Sequence, residues 1–186
     1  MTTKLHRILA ALLASSAIAL TAAGCGPQQD SKTPAGGDVQ GMIGKPAPDF
    51  QAEAVTGEGP TSLKDAKGTV VILDFWATFC GPCKKSFPKY QALVEQFGGE
   101  VNVLAVSTDD PEDVNKDTLV EFANATGAKF AIVWDKNKQA VGAYPTPTMP
   151  TSYIIDKEGV VKHVHAGYKD GEEDEITEEV KALLGK

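Results

Sequence analysis

Residues 75–85 read Phe-Trp-Ala-Thr-Phe-Cys-Gly-Pro-Cys-Lys-Lys, and this stretch decides both the fold and the chemistry of the chain. It places Cys80 and Cys83 three residues apart, where an apolar run gives way to a helical pattern. The free N–H groups and the dipole of a helix N-terminus favour the thiolate form of a cysteine. A second thiol one turn later can close a reversible disulfide with the first. The stretch therefore predicts a two-electron redox pair, with Cys80 as nucleophile and Cys83 as resolving thiol.

The surrounding residues predict alternating strands and helices. Residues 69–75 are apolar except for one acid, as is typical of a central strand covered on both faces. A helix is predicted from Gly81 to Phe97, with Pro82 in its first turn and Pro88 inside it. The other predicted strands and helices are 50–55, 101–106, 117–126, 130–134, 139–144, 152–156, 160–165 and 170–184. This order predicts an α/β sandwich around one mixed sheet in a single domain.

Asp74 is the acid within the apolar run of residues 69–75. A buried carboxylate is costly, and burial raises its pKa, so an isolated acid in a central strand indicates a function. The alternative is an acid at the end of a strand whose side chain reaches solvent.

The charge of the chain argues against nucleic acid as a partner. Its 186 residues carry 18 basic and 25 acidic side chains, a net charge of −7. Nucleic-acid binding depends on Lys and Arg at the phosphates. We interpret the acidity as a contribution to solubility.

The first residues resemble a secretory signal rather than part of the fold. Lys4 and Arg7 precede an apolar segment at residues 8–20, which is shorter than the roughly 20 residues of a membrane span. Residues 21–25 (Thr-Ala-Ala-Gly-Cys) resemble a bacterial lipobox, which predicts lipidation of Cys25. Ala22 stands where Leu is usual, and an ordinary signal peptide is the alternative. Without residues 1–24, 162 residues remain, with 16 basic and 25 acidic side chains and a net charge of −9.

The predicted organisation has three parts. Residues 1–24 are the lipoprotein signal peptide, residues 25–42 a flexible tether, and residues 43–186 the globular domain. The tether is rich in Gly, Pro, Gln and Ser and has no apolar periodicity.

The motifs together resemble the thioredoxin superfamily. They are a strand, Cys-Gly-Pro-Cys at a helix start, a Pro five residues later, and a distant Met-Pro-Thr before a strand. Residues 44–50 (Gly-Lys-Pro-Ala-Pro-Asp-Phe) and 76–88 resemble the membrane-tethered TlpA/ResA branch of that superfamily. The resemblance covers about residues 43–186. It implies a thioredoxin-like three-layer α/β/α sandwich with an N-terminal extension, and a thiol-disulfide oxidoreductase activity.

The resemblance also implies roles for residues around the dithiol. Asp74 would lie behind Cys83 and take its proton, directly or through water. Gly81 and Pro82 would tune the redox potential, and this pair resembles that of reducing members.

A second set of implied residues would contact the client. Pro150 would form a cis peptide bond in the loop that faces the dithiol, and the backbone of Met149 would pair with an extended segment. Trp76 and Phe79 would flank the site, with Trp76 partly in the core and Phe79 where the family more often has Trp.

The loop at Asp109 and Asp110 allows two interpretations. Related reductases carry a functional acid in this loop, but its acidic composition favours a solvated loop.

The implied function is reduction of protein disulfides outside the cytoplasm by a lipid-anchored enzyme on the periplasmic side. A client in cytochrome c maturation is one example. Electrons would come from a membrane dithiol carrier, and no organic cofactor is implied beyond the Cys80–Cys83 disulfide.

Several alternatives share these residues. A disulfide-forming oxidase or isomerase would use the same two sulfurs, since the reduction potential alone sets the direction. A copper metallochaperone or a non-catalytic docking module is also compatible with a paired-thiol fold. A peroxidase would need a Pro-x-x-x-Thr-x-x-Cys motif, which is absent, and structural zinc would need two more ligands than one Cys pair supplies. His163 and His165, spaced to share one face of a strand, are the histidines left after cleavage.

Overall fold

The computed structural model describes residues 38–186. The predicted signal peptide, the predicted lipidation site at Cys25 and most of the predicted tether lie outside the described residues. Residues Gln40–Met42, at the end of the predicted tether, form a 3-10 turn, and the Met42 side chain packs against the core. Within residues 38–186, no helix has the length and apolar character needed to cross a bilayer.

The described residues contain one mixed sheet of six strands in the order β1-β4-β3-β2-β5-β6. Neighbours β2, β3 and β4 are parallel, whereas β1, β5 and β6 join the sheet by antiparallel pairing. All seven residues of β2 are buried, as expected for a central strand. The strands are β1 (Glu53–Thr56), β2 (Val70–Trp76), β3 (Val101–Ser107), β4 (Ala131–Trp134), β5 (Thr151–Ile155) and β6 (Val161–Ala166).

Helices cover both faces of this sheet, which gives the three layers. One core cluster joins β2 and β3 to the apolar stripes of α1, α2 and α4, with Phe87, Phe122 and Ile176 among its members. The other cluster lies on the opposite face, where Tyr144 from the end of α3 and Phe50 pack on the sheet. Among the described residues the helices are α1 (Cys83–Phe97), α2 (Lys116–Thr126), α3 (Gln139–Ala143) and α4 (Glu172–Leu184). The predicted thioredoxin-like α/β/α sandwich is confirmed.

Some element boundaries differ from the predicted ones. The first strand, predicted at residues 50–55, is Glu53–Thr56, because the Phe50 side chain is buried in the core and its backbone does not join the sheet. After it, Gly57 has φ +92°, and a Cβ there would lie 1.8 Å from the carbonyl oxygen of Phe130. Close approach of the two backbones therefore requires glycine at this turn.

Candidate active site

The two cysteines lie at the junction between the end of β2 and the start of α1. β2 ends at Trp76, and α1 begins at Cys83. Cys80 and Cys83 are joined as a disulfide, with their Cα atoms 5.3 Å apart. The backbone N–H of Cys83 donates to Cys80 Sγ at 3.2 Å. A free N–H at a helix N-terminus aimed at the first sulfur would stabilise that sulfur as a thiolate after reduction.

The two sulfurs differ in access. Cys80 is 5% exposed and lines a surface groove of about 370 Å³, whereas Cys83 is fully buried. An incoming group can therefore reach Cys80 but not Cys83. Cys80 thus has the geometry of an attacking thiol and Cys83 that of an internal one.

The groove beside Cys80 is formed by the active-site turn and the loop before β5. Phe79 gives the groove an apolar wall, with a large hydrophobic side chain that is 79% exposed. The Met149–Pro150 peptide bond is cis, which confirms that part of the prediction. Thr108 Oγ1 lies 3.7 Å from Met149 Sδ and links this loop to the end of β3. The groove is lined by Phe79, Cys80, Gly81, Pro82, Thr146, Pro147, Thr148 and Met149.

Trp76 lies in the core, as the sequence interpretation expects in part, and the structure corrects its assignment to the client-contact surface. Its side chain is fully buried. The ring packs 4.4 Å from the centroid of Phe122 and 5.2 Å from that of Phe87. Since β2 is central, a large ring on the helix-covered face of this strand fills the core beneath α1 instead of meeting a client.

Asp74 is fully buried on the face of β2 that α1 covers, as predicted, so the alternative of a side chain reaching solvent is wrong. It is paired in register with Ser152 of β5, and Ser152 Oγ donates to Asp74 Oδ1 at 2.6 Å. Tyr90 OH lies 2.8 Å from Ser152 Oγ. Asp74 Oδ2 has no hydrogen-bond partner within residues 38–186.

The position of Tyr90 relates Asp74 to the dithiol. Tyr90 follows Cys83 by two helical turns on the same buried stripe of α1. Long side chains of a helix lean toward its N-terminus. The Tyr90 hydroxyl, and with it Asp74, therefore lies under the stripe that begins at Cys83.

Burial raises the pKa of the Asp74 carboxyl from 3.8 to about 7. The hydrogen bond from Ser152 and the nearby Tyr90 hydroxyl act in the opposite direction, while the charge of Glu172 adds to the rise. A carboxyl with a pKa near neutrality can both accept and release a proton at working pH. This environment suits a general base, the role predicted for Asp74.

Asp109 is a site residue that the sequence interpretation missed. The acidic composition of the loop predicts that it is solvated, which holds for the exposed Asp110 but is wrong for Asp109, which is 3% exposed. Both carboxylate oxygens of Asp109 accept from Thr78 N, at 3.0 and 3.1 Å, and the Thr78 and Ser107 hydroxyls also donate to Asp109. Asp109 therefore anchors the turn that carries Cys80. The sequence pattern could have predicted this contact. The strands that precede the Cys80 turn and the Asp109 loop are adjacent and parallel, so the two loops that follow them lie side by side.

Comparison with known proteins agrees with this geometry. The AhpC/TSA family matches residues 43–164. The thioredoxin-like protein YneN of Bacillus subtilis (strain 168) is 37% identical over 124 residues, covering 67% of this chain and 71% of that one. The thiol-disulfide oxidoreductase ResA of Bacillus thuringiensis (strain Al Hakam) is 36% identical over 121 residues, covering 64% and 67%.

A solved structure shows the same architecture. The crystal structure of a protein from Chlorobium tepidum, assigned as the thiol:disulfide interchange protein DsbE, superposes with a TM-score of 0.67. It is 33% identical and covers 77% of this chain and 98% of its own. Fold, dithiol position and relatives thus point to the same chemistry.

Proposed function

The chain belongs to the AhpC/TSA family and is a thiol-disulfide oxidoreductase of the ResA and DsbE type, and from this premise we propose that it reduces disulfides in protein clients outside the cytoplasm. The observation that carries the proposal is the pair Cys80 and Cys83 at the N-terminus of α1, with Cys80 opening into a groove.

In the proposed reaction the reduced protein supplies two electrons. The Cys80 thiolate attacks one sulfur of a client disulfide, which forms a Cys80–client mixed disulfide and releases one client thiolate. Cys83 then loses its proton to Asp74 and attacks Cys80 Sγ. The mixed disulfide breaks, the second client thiolate leaves, and the Cys80–Cys83 disulfide forms. Each of the two client thiolates takes a proton from water. The client disulfide is reduced to two thiols and the enzyme dithiol is oxidised.

The groove is the proposed binding site for an extended client segment. Phe79 offers an exposed apolar surface beside Cys80. The backbone of Met149, next to Pro150, would add hydrogen bonds to an extended client strand, the way in which sheets commonly bind peptides. Gly81 and Pro82 leave the approach to Cys80 free of long side chains.

The setting of the reaction is part of the proposal. Cys25 would carry lipid that anchors the domain to a bacterial membrane on the periplasmic side, and a membrane dithiol carrier would reduce the disulfide after each turnover. An apocytochrome whose paired cysteines have formed a disulfide is a client of suitable chemistry. Reduction rather than oxidation is favoured by the Gly81-Pro82 pair, which resembles that of reducing members.

Trapping of the mixed disulfide tests the proposal. We expect the Cys83→Ala variant to accumulate clients on Cys80, because the resolving thiol is gone while the attacking thiol stays exposed to the groove. Cells expressing the full chain with this change would be acid-quenched, and adducts released by reductant would be identified by mass spectrometry.

The matched control is the double variant Cys80→Ala, Cys83→Ala, which should capture nothing. Specific, reductant-sensitive adducts of extracytoplasmic proteins that carry disulfides or paired cysteines are the expected result. Equal capture by the double variant, or capture of cytoplasmic proteins alone, would contradict the proposal.

A further inference from the structure

A row of polar side chains crosses three neighbouring strands next to the dithiol. Asp74 of β2 is paired in register with Ser152 of β5, and Ser152 is paired in register with His165 of β6. Side chains of directly paired residues lie on the same face of a sheet, about 4.5–5.5 Å apart at their Cβ atoms. The row therefore leads from the buried Asp74 toward the edge strand β6.

Two glutamates of α4 contact the two ring nitrogens of His165. His165 Nδ1 lies 3.5 Å from Glu172 Oε1, and His165 Nε2 lies 2.8 Å from Glu179 Oε2. The second oxygen of Glu179 lies 3.0 Å from His163 Nδ1. The exposed fraction of the side chain rises from one contact to the next, from 9–10% at Glu172 and His165 to 39% at His163. The groups form a chain that begins in the interior and ends at solvent.

The inner end of this chain adjoins Asp74. The negative charge of Glu172 adds to the rise in the pKa of the Asp74 carboxyl. Ser152, the direct partner of Asp74, lies between Asp74 and His165 in the sheet. Ser152 therefore lies between the buried acid and the His165 cluster, which we define as Glu172, His165, Glu179 and His163.

The reaction proposed above, on which this inference rests, needs Asp74 in its ionised form. With a pKa of about 7, the Asp74 carboxyl is protonated in much of the reduced protein near neutral pH, and it must release that proton before it can take the one on Cys83. Asp74 is fully buried beneath α1, so bulk water does not reach its carboxyl directly. An imidazole held between two carboxylates is suited to this release, because one ring nitrogen can accept a proton while the other donates one.

We propose that the His165 cluster is the proton route between Asp74 and solvent. The proton enters His165 from the side of Glu172 and leaves it toward Glu179 and His163. No electrons move in this step. The proton leaves the Asp74 carboxyl, crosses by way of Ser152 or Glu172 to His165, and reaches water at His163. His165 is thus a positioning residue for the proton of Asp74, and it does not touch the reacting sulfurs.

Other groups around the cluster are compatible with this path. The route opens into a surface pocket of about 340 Å³, whose charged rim includes Lys169 and Glu175. From α1, Asp74 faces Tyr90, whose hydroxyl hydrogen-bonds to Ser152 and can reorient with it. Within residues 38–186, no group of three or more His, Cys, Asp or Glu is arranged to hold a metal ion.

Chemical rescue tests the route. In His165→Ala, we expect single-turnover oxidation of the dithiol by a small disulfide at about pH 6 to slow about tenfold in dilute buffer, since most Asp74 carboxyls start protonated there and lose the relay to solvent. Added imidazole should restore the rate through the surface pocket. The redox midpoint of Cys80–Cys83 should not move, because a relay changes rates and not equilibria.

Two further variants complete the design. His165→Gln keeps a hydrogen-bonding side chain that cannot carry a proton, so the same slowing is expected with no loss of folding. Lys162→Gln is the matched control, since Lys162 lies on β6 beside His163 and pairs with Asp156 away from the cluster. Its rate should equal that of the wild type, with or without imidazole.

The outcomes separate the route from the function. If the wild-type protein exchanges disulfides, and both His165 variants react at the wild-type rate, the proton route is overturned and the proposed reductase function still stands. Slowing that imidazole does not relieve, or that comes with a shifted midpoint, would show a structural role and would also overturn it. A wild-type protein that exchanges no disulfide would overturn both.

Discussion

Replacing Asp74 by Asn is expected to stabilise the protein above pH 7 while slowing its chemistry. Asp74 has an ordinary pKa of 3.8 and a pKa of about 7 in the folded protein, because it is buried. Between these values the folded state holds a proton that the unfolded state has lost. Wild-type stability therefore falls as pH rises through this window, by at most about 4 kcal/mol in total. Asn has no charge to bury, so the free energy of unfolding of the variant does not fall with pH in this way.

The measurement is the free energy of unfolding of both proteins in urea from pH 4 to pH 8. The difference between Asp74→Asn and wild type should grow with pH and level off above about pH 7. Asp110→Asn, a change of the same type at an exposed acid, should show no such growth. Parallel curves for wild type and Asp74→Asn would mean that Asp74 ionises normally in the fold.

The same substitution should change the kinetics in the opposite sense. Without a base near Cys83, resolution of the mixed disulfide is expected to slow by about 10- to 100-fold above pH 7. The wild-type rate of this step should rise with pH through about 7, and the variant should lack that rise.

The Cys80→Ser variant is expected to lose disulfide reduction entirely, down to the rate seen without protein. The serine hydroxyl is not a nucleophile at neutral pH, and Cys83 is fully buried and cannot take over the first attack. Insulin reduction with a dithiol as electron source measures the loss. Cys83→Ser is the informative control, because it should form one stable adduct per chain without turnover. Residual turnover in Cys80→Ser would mean that the assignment of the two sulfurs is wrong.

The features that the sequence predicted well are those encoded within a few residues. The Cys80–Cys83 spacing and the helix after it depend on local chemistry, and the structure has both. Burial of Asp74 followed from one acid in an otherwise apolar central strand. The cis bond at Pro150 came from family resemblance, since spacing alone gives no reason to choose this proline.

The features that the sequence could not reveal depend on pairing between distant residues. The contact of Ser152 with Asp74, and the alignment of both with His165, require the exact register of three strands. A shift of one residue would send each of these side chains to the other face. Asp109 was misjudged for a related reason, because the acidic composition of a loop does not tell which carboxylate turns inward. The nearness of Trp76 to Cys80 favours a client contact, but its position at the end of the central strand determines its burial, so only the core part of that expectation holds.

The most direct test of the account is a redox titration of the purified protein in graded thiol–disulfide buffers, with free thiols alkylated and the products weighed by mass spectrometry. We predict one two-electron transition between the unlabelled form and a form with Cys80 and Cys83 both labelled. Its midpoint should be more negative than about −200 mV, as for a reductant. A pair that never interconverts, or a midpoint more positive than about −150 mV, would contradict the account.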